Sequence, residues 1–211
     1  MKHFYFHDCP RTGGTSFKRW ARNHSKVKHV HYGKEGKAWH HIPFNSCGDI
    51  GKLTTSDKLW TFTLLRNPIE HTASLFSKIR QHKHGYRTKL NGLTFGQWVH
   101  GIYEADVGSA PAPWGFSMVR FYDPETENLE TAIKNIESMD FVGFTDRLDD
   151  DLNLLLTTAD AHTKFDGRRL NVVRRSFKIT DKDKNVIRRV RADDFKLVNH
   201  FRKKRGLDLY E

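Results

Sequence analysis

The chain has 211 residues and a formal net charge of +11; 37% of its residues are hydrophobic, 12% aromatic and 29% charged. That length suits one compact domain, with 15 Phe and 5 Trp to anchor a core, and the composition excludes collagen, coiled coil and wholesale disorder. No apolar run approaches the roughly 18 residues of a membrane span.

In chain order, His3–His7 reads as a short aromatic strand. The turn-like stretch Asp8-Cys9-Pro10-Arg11-Thr12-Gly13-Gly14 follows, and Phe17, Trp20 and Ala21 then fall at helical spacing. Leu59–Leu65 is a second strand, apolar and β-branched enough for burial on both faces of a parallel sheet. Asn67-Pro68 reads as N-cap and first helical position, and Ile69, Ala73, Phe76 and Ile79 continue at helical spacing. Gly108–Pro113 reads as loop. Phe141–Phe144 is a third strand. Asp149, Asp150 and Asp151 fall in the first turn of the next helix, where carboxylates complement the dipole, and Leu148, Leu152, Leu155 and Leu156 form its apolar face. A last helix starts near Asp193-Asp194, uses Phe195, Val198 and Phe201, and stops at Gly206. Strands alternating with helices predict an α/β domain with a mainly parallel sheet.

Charge is unevenly spread. Lys164–Arg191 carries eleven Lys/Arg against three Asp, and Ser77–Gly92 carries five Lys/Arg, two His and no acid. Two basic tracts suggest an anionic partner: nucleotide phosphates, an acidic glycan or nucleic acid. The alternative is a solvated basic surface. Asp123–Asp151 holds ten Asp/Glu against two Lys/Arg and reads as plain helix surface. Cys9 and Cys47 are too few for a disulfide scaffold and read as buried or incidental thiols in a reducing compartment.

The most informative segment is Cys9-Pro10-Arg11-Thr12-Gly13-Gly14-Thr15-Ser16-Phe17. A strand entering a glycine turn and then a helix cradles phosphate, because the glycines let backbone N–H groups converge and the helix N-terminus adds positive potential. Arg11 adds a bidentate fork, and Thr12, Thr15 and Ser16 add hydroxyls. No GxxxxGK[ST] pattern is present, so this is not a Walker A loop. The alternative is an ordinary strand–helix turn with Thr15 or Ser16 as helix cap.

This segment resembles the 5′-phosphosulfate loop of sulfotransferases that use 3′-phosphoadenosine 5′-phosphosulfate (PAPS), where the family usually has Lys in place of Arg11. The stretch from Leu64 to Phe76, with Arg66 and Ser74 eight residues apart, resembles that family's 3′-phosphate site. The nearest likeness is to the carbohydrate branch, including heparan sulfate 2-O-sulfotransferases. Three further segments fit in order: Trp39–Phe44, with a His-x-Pro-like context; Phe141–Leu155, similar to a VG-x-TE segment and its acidic helix; and Leu170–Phe177, similar to the basic segment that closes over the nucleotide.

The resemblance implies a single sulfotransferase domain over residues 1–211, with a P-loop-like three-layer fold: a central, mainly parallel sheet flanked by helices. It implies PAPS as donor, adenosine 3′,5′-bisphosphate as product, and no metal. His41 is implied as general base, with His40 as competitor. Arg11, Thr12, Gly13, Gly14, Thr15 and Ser16 are implied to hold the 5′-phosphosulfate, with Arg11 also catalytic through charge on the departing phosphate. Arg66 and Ser74 are implied to bind the 3′-phosphate, and Arg174, Arg175 and Ser176 to give a second clamp. For Arg66 the alternative is an ion pair with Glu70; for Ser74, a small residue on a packing face; for Arg174 to Ser176, a basic surface segment. Asn171 reads as a turn residue. Arg80, Arg87 and Lys89, in the tract with Lys78, His82 and His84, are implied to face an acceptor hydroxyl on a carbohydrate that can be anionic.

Two other classes remain in view: a nucleotide-dependent kinase-like phosphotransferase, and a basic nucleic-acid-binding module. The kinase reading lacks a Walker Lys, and no recognisable nucleic-acid motif is present, so no nucleic-acid partner is expected. With no signal peptide or anchor visible, the expectation is a cytoplasmic protein.

Overall fold

The computed structural model describes residues 2–24, 27–29, 59–81, 92–103, 117–166 and 176–211. They form two compact units, each assembled from separate stretches of chain: Met1–Leu65 with Val119–Asn171, and Arg66–Met118 with Val172–Glu211.

The first unit is built on a parallel sheet. Its strands are β1 (Lys2–His7), β2 (Val27–His29), β3 (Leu59–Leu65) and β4 (Phe141–Phe144), in the order β2-β1-β3-β4. All three strand pairs are parallel, with Phe6 opposite Phe62 and Leu64 opposite Gly143. The expected α/β class with a parallel sheet is present. The alternation of side chains sorts the two faces. Phe4, Phe6, Phe62 and Leu64 point to one face and are buried there with Phe17, Trp20, Leu148, Leu152, Leu155 and Leu156. These come from α1 (Gly14–Arg22) and from the helix predicted after the third strand, which spans Leu148–Thr158. The Phe6 and Phe62 rings stack at 4.7 Å, with Phe17 edge-on to Phe62 at 4.8 Å. On the other face, the Thr63 hydroxyl meets the Tyr122 hydroxyl at 2.5 Å. Tyr122 ends the short helix Met118–Tyr122 and is fully buried. Helices therefore cover both faces of the sheet.

The acidic tract is surface only in part. Glu130 is exposed on the helix Leu129–Glu137. Asp123 and Asp151, by contrast, are buried. Asp123 accepts hydrogen bonds from the Thr126 hydroxyl and, at 2.7 Å, from the Asn128 amide. Burial pushes its carboxyl up, but these hydrogen bonds outweigh burial and hold it below its usual range. Asp151 accepts from the Phe144 amide at 2.6 Å, closing the end of β4, with Arg147 Nε 3.6 Å away.

The second unit is helical among the described residues. It contains α2 (Pro68–Gln81), a short helix Phe95–Gln97 continuing into a π-helical turn Trp98–Tyr103, and helices Asp181–Val190 and Ala192–Lys204. Asn67 caps α2, its Oδ1 accepting from the Ile69 amide at 2.8 Å, as its place before Pro68 predicts. Ala73, Phe76 and Ile79 are buried with Phe95, Trp98, Val99, Val186 and Ile187. Helix Asp181–Val190 has too few apolar residues to stand out in sequence. It starts at a capping box, Thr180 and Asp183 bonding each other's backbone N–H. The last helix ends as predicted, in a Schellman motif: Gly206 N–H bonds Lys203 O and Leu207 N–H bonds Arg202 O, both at 3.0 Å. The tail beyond folds back on that helix. Arg202 lies 4.0 Å over the Tyr210 ring, donates to its hydroxyl at 2.7 Å and also bonds the Asp208 carbonyl. Asn199 holds the Tyr210 backbone at both N–H and C=O.

Among the described residues no helix is long and apolar enough to cross a membrane. Gly108–Pro113, Cys47 and Asn171 lie outside the described residues.

Candidate functional site

The strand order places the glycine loop. The chain runs from β1 outward to β2 on one side, and β3 and β4 lie on the other. The order reverses at β1, and in open parallel sheets ligands bind beyond the carboxyl ends of the strands at such a switch point. The loop after His7 leaves that end of β1.

The loop is two linked turns. Thr12 N–H donates to Cys9 O at 3.3 Å, and the Thr12 hydroxyl donates to the same carbonyl at 2.7 Å. Pro10 and Arg11 are the central residues of this turn, and Arg11 has φ +70°. A positive φ at the third turn position is the type II pattern, normally filled by Gly or Asn. Gly13 then takes φ +101° as the N-cap of α1, with no side-chain capping bond, and its carbonyl receives the Ser16 and Phe17 amides. The sequence alternative of Thr15 or Ser16 as cap is thus corrected. Both lie inside the helix because the left-handed position needed to enter it falls on the glycine. Thr15 is exposed; Thr12 and Ser16 are buried. With its hydroxyl hydrogen directed at Cys9 O, Thr12 shapes the turn.

Gly14 is required by close approach. A Cβ there would fall 2.1 Å from an Asp8 carboxylate oxygen. That carboxylate pairs with Lys18 Nζ at 2.5 Å. Asp8 therefore ties the end of β1 to the first turn of α1 and fixes Lys18 one turn along from Gly14. Burial pulls the Arg11 guanidinium below its ordinary value, and the Asp8 charge acts in the opposite sense; Arg remains charged throughout the physiological range. Two cations and one carboxylate thus lie around a helix N-terminus whose N-cap, Gly13, has no side chain to bond it. Beneath the loop, Cys9 is buried and joins no disulfide among the described residues. Burial raises the Tyr122 phenol well above its ordinary value, Cys9 and Asp8 add to the rise, and the Thr63 hydrogen bond opposes it. Tyr122 is therefore a neutral structural prop at the sheet.

Asp8 and Lys18 escaped the sequence reading. The signal available was the spacing of Gly14 and Lys18, four apart on one helix face, with an acid at the strand end.

In the second unit, Arg66 precedes α2, its Nη2 3.8 Å from Glu70 Oε2 with both side chains partly exposed. That long contact in water contributes little. Ser74 sits on α2 with 8% exposure. Arg80 is exposed near the end of α2, its guanidinium 5.6 Å over the Phe76 ring. Ser176 is exposed and outside regular structure. His40, His41, Arg87, Lys89, Arg174 and Arg175 lie outside the described residues.

The late basic tract also spends charge internally. Lys184 pairs with Asp181 at 2.8 Å, and buried Arg191 with buried Asp194 at 3.3 Å. Among the described residues no group of three or more His, Cys, Asp or Glu converges as a metal site.

No protein-family model matches the chain, and a search of curated proteins finds no match.

Proposed function

We propose that this protein is a PAPS-dependent sulfotransferase with a P-loop-like fold, moving a sulfuryl group to a carbohydrate hydroxyl. The observation that carries the reading is the Arg11-bearing glycine loop at the sheet's switch point, which leads straight into a helix N-terminus with glycine as its N-cap. Such a terminus is suited to an anion: backbone N–H groups and the dipole favour negative charge.

In this reading the amides of Gly13 to Ser16 and the Arg11 fork hold the 5′-phosphosulfate. Arg66 and Ser74 hold the 3′-phosphate, and Arg174, Arg175 and Ser176 supplement them. Arg80, Arg87 and Lys89 face the acceptor. The acceptor hydroxyl oxygen attacks sulfur, the sulfur–oxygen bond to the phosphate breaks, and adenosine 3′,5′-bisphosphate leaves. His41, or its neighbour His40, takes the hydroxyl proton; a neutral imidazole with an ordinary pKa of about 6.5 suits that task. Arg11 stabilises charge growing on the departing phosphate. Lys18, held by Asp8, gives the same region a compact ammonium where the family's Lys is replaced by Arg11. No step calls for a metal, and the reading sets the protein in the cytoplasm.

Calorimetry with adenosine 3′,5′-bisphosphate, 5′-AMP and ATP with Mg²⁺ tests this. The bisphosphate should bind at least about tenfold tighter than 5′-AMP, a gap of ~1.4 kcal/mol. Arg66→Ala should abolish the gap and His41→Ala should leave it. Indifference to the 3′-phosphate would sink the assignment, and preference for ATP with Mg²⁺ would replace it with a kinase-like phosphotransferase.

A further inference from the structure

Asp8 brings a negative charge into a loop otherwise built for anions. Its side chain is 13% exposed and pairs with Lys18 Nζ at 2.5 Å. Its two carboxylate oxygens lie 2.1 and 2.4 Å from the position a Cβ on Gly14 would take, so the missing side chain at Gly14 is what admits the acid to the first turn of α1. That turn carries no acid of its own. The counter-charge at the helix N-terminus comes instead from the end of β1, and a carboxylate in such a place is favourable. Its field also reaches Arg11, where it opposes the effect of burial on the guanidinium, and the Tyr122 phenol. Arg11, Lys18 and Asp8 together sum to a single positive charge.

We propose that Asp8 is a specificity-determining residue: it matches the loop to a ligand group bearing one negative charge and weakens its hold on a group bearing two. The inference deepens the sulfotransferase reading, and rests on it for the identity of that group as the nucleotide's 5′ end. One ligand charge balances the loop, and a second gains less from the cations because the fixed carboxylate repels it. In the phosphosulfate the phosphate bears one charge, and the other lies out on the sulfuryl group. When the sulfur–oxygen bond breaks, the bridging oxygen keeps the electron pair. The phosphate is then a monoester, and its second pKa of about 6 leaves it doubly charged at neutral pH. The donor is thus the ligand the loop matches and the product is the one it repels, so Asp8 drives the spent nucleotide out. Selectivity through a built-in repulsive group is a general route to telling two similar ligands apart.

The test is calorimetry on the whole chain near pH 8 with 5′-AMP and adenosine 5′-sulfate, alike in shape but doubly and singly charged. Each ligand charge feels the same lost repulsion in Asp8→Asn, so the effect on the dianion is roughly the square of that on the monoanion. Asp8→Asn should tighten the sulfate ester about threefold and 5′-AMP about tenfold. Lys18→Met leaves the carboxylate unanswered and should move the selectivity the other way, weakening 5′-AMP more than the sulfate ester. Asp150→Asn removes the same charge from a 71% exposed site in the same unit and should change either affinity by less than about twofold. Urea unfolding checks that each variant is folded; if Asp8→Asn is not, the direction of the Lys18→Met shift decides. Equal changes for the two ligands, or a shift in Asp150→Asn as large as in Asp8→Asn, would overturn the proposal. Adenosine 3′,5′-bisphosphate, run in parallel, keeps the two readings apart. Indifference to the 3′-phosphate with the selectivity shift present would fail the donor site and leave Asp8 its role, whereas a wild-type chain that binds neither 5′ group would overturn both.

Discussion

Arg11 is held at φ +70°, where a side chain with a Cβ pays roughly 1–2 kcal/mol against its own backbone. Strain of this kind persists where the surroundings over-determine it, and it gathers at binding sites. Arg11→Gly should therefore separate charge from fold. Relief of the strain and the greater freedom of glycine in the unfolded chain offset each other, so stability should change by no more than about 1 kcal/mol. Bisphosphate affinity should fall at least about tenfold, the scale of a lost charge-assisted hydrogen bond. A large drop in stability with affinity intact would mean that Arg11 serves the fold. The loop's composition was readable from the sequence, and its hydrogen-bond logic was not. Which hydroxyl turns inward, as Thr12 does to Cys9, depends on the backbone path. The approach of Asp8 to Gly14 depends on where β1 ends relative to α1, which no local pattern encodes.

Elements with strong periodicity were legible. β1, α1, β3, α2 and β4 arise where apolar spacing, a cap and a breaker agree. β2 has three residues, two of them Lys28 and His29, and no such pattern. Helix Asp181–Val190 is marked mainly by its capping box. Three successive acids at 149–151 look alike in sequence, yet the helix divides them: Asp150 is 71% exposed, while Asp151 turns inward to the Phe144 amide. Asp151→Ala leaves that buried N–H unsatisfied and should cost about 1–3 kcal/mol in urea unfolding. Asp150→Ala should stay within about 0.5 kcal/mol. Similar losses from both would place the effect in the helix dipole instead.

At the scale of the molecule, net charge was plain from the sequence, but its distribution was not. Part of the late basic tract is paired with Asp181 and Asp194, while α1, which no charge count singled out, presents three cations on one face. Acid sensitivity follows from a buried group. His7, 4% exposed at the end of β1, has its imidazole pulled down to about 4 by burial. Between pH 4 and 6.5 the unfolded chain therefore holds more His7 proton than the folded one, and stability rises with pH. The contribution is complete above about 6.5 and shrinks by up to ~3 kcal/mol as pH falls to 4. Urea unfolding at pH 7 and pH 5 should show a loss of about 2 kcal/mol in the wild-type chain and a smaller one in His7→Leu. An identical slope in both would assign the acid sensitivity elsewhere.

The folded-back tail has a practical consequence. Tyr210 is both lid and counterpart for a guanidinium that is otherwise buried, so the last residues behave as part of the helix they cover. The chain at Tyr210 is therefore held in a fixed direction by Asn199 and Arg202. Tyr210→Ala would uncover a charge-bearing hole over Arg202, and the loss would register in the helix's melting.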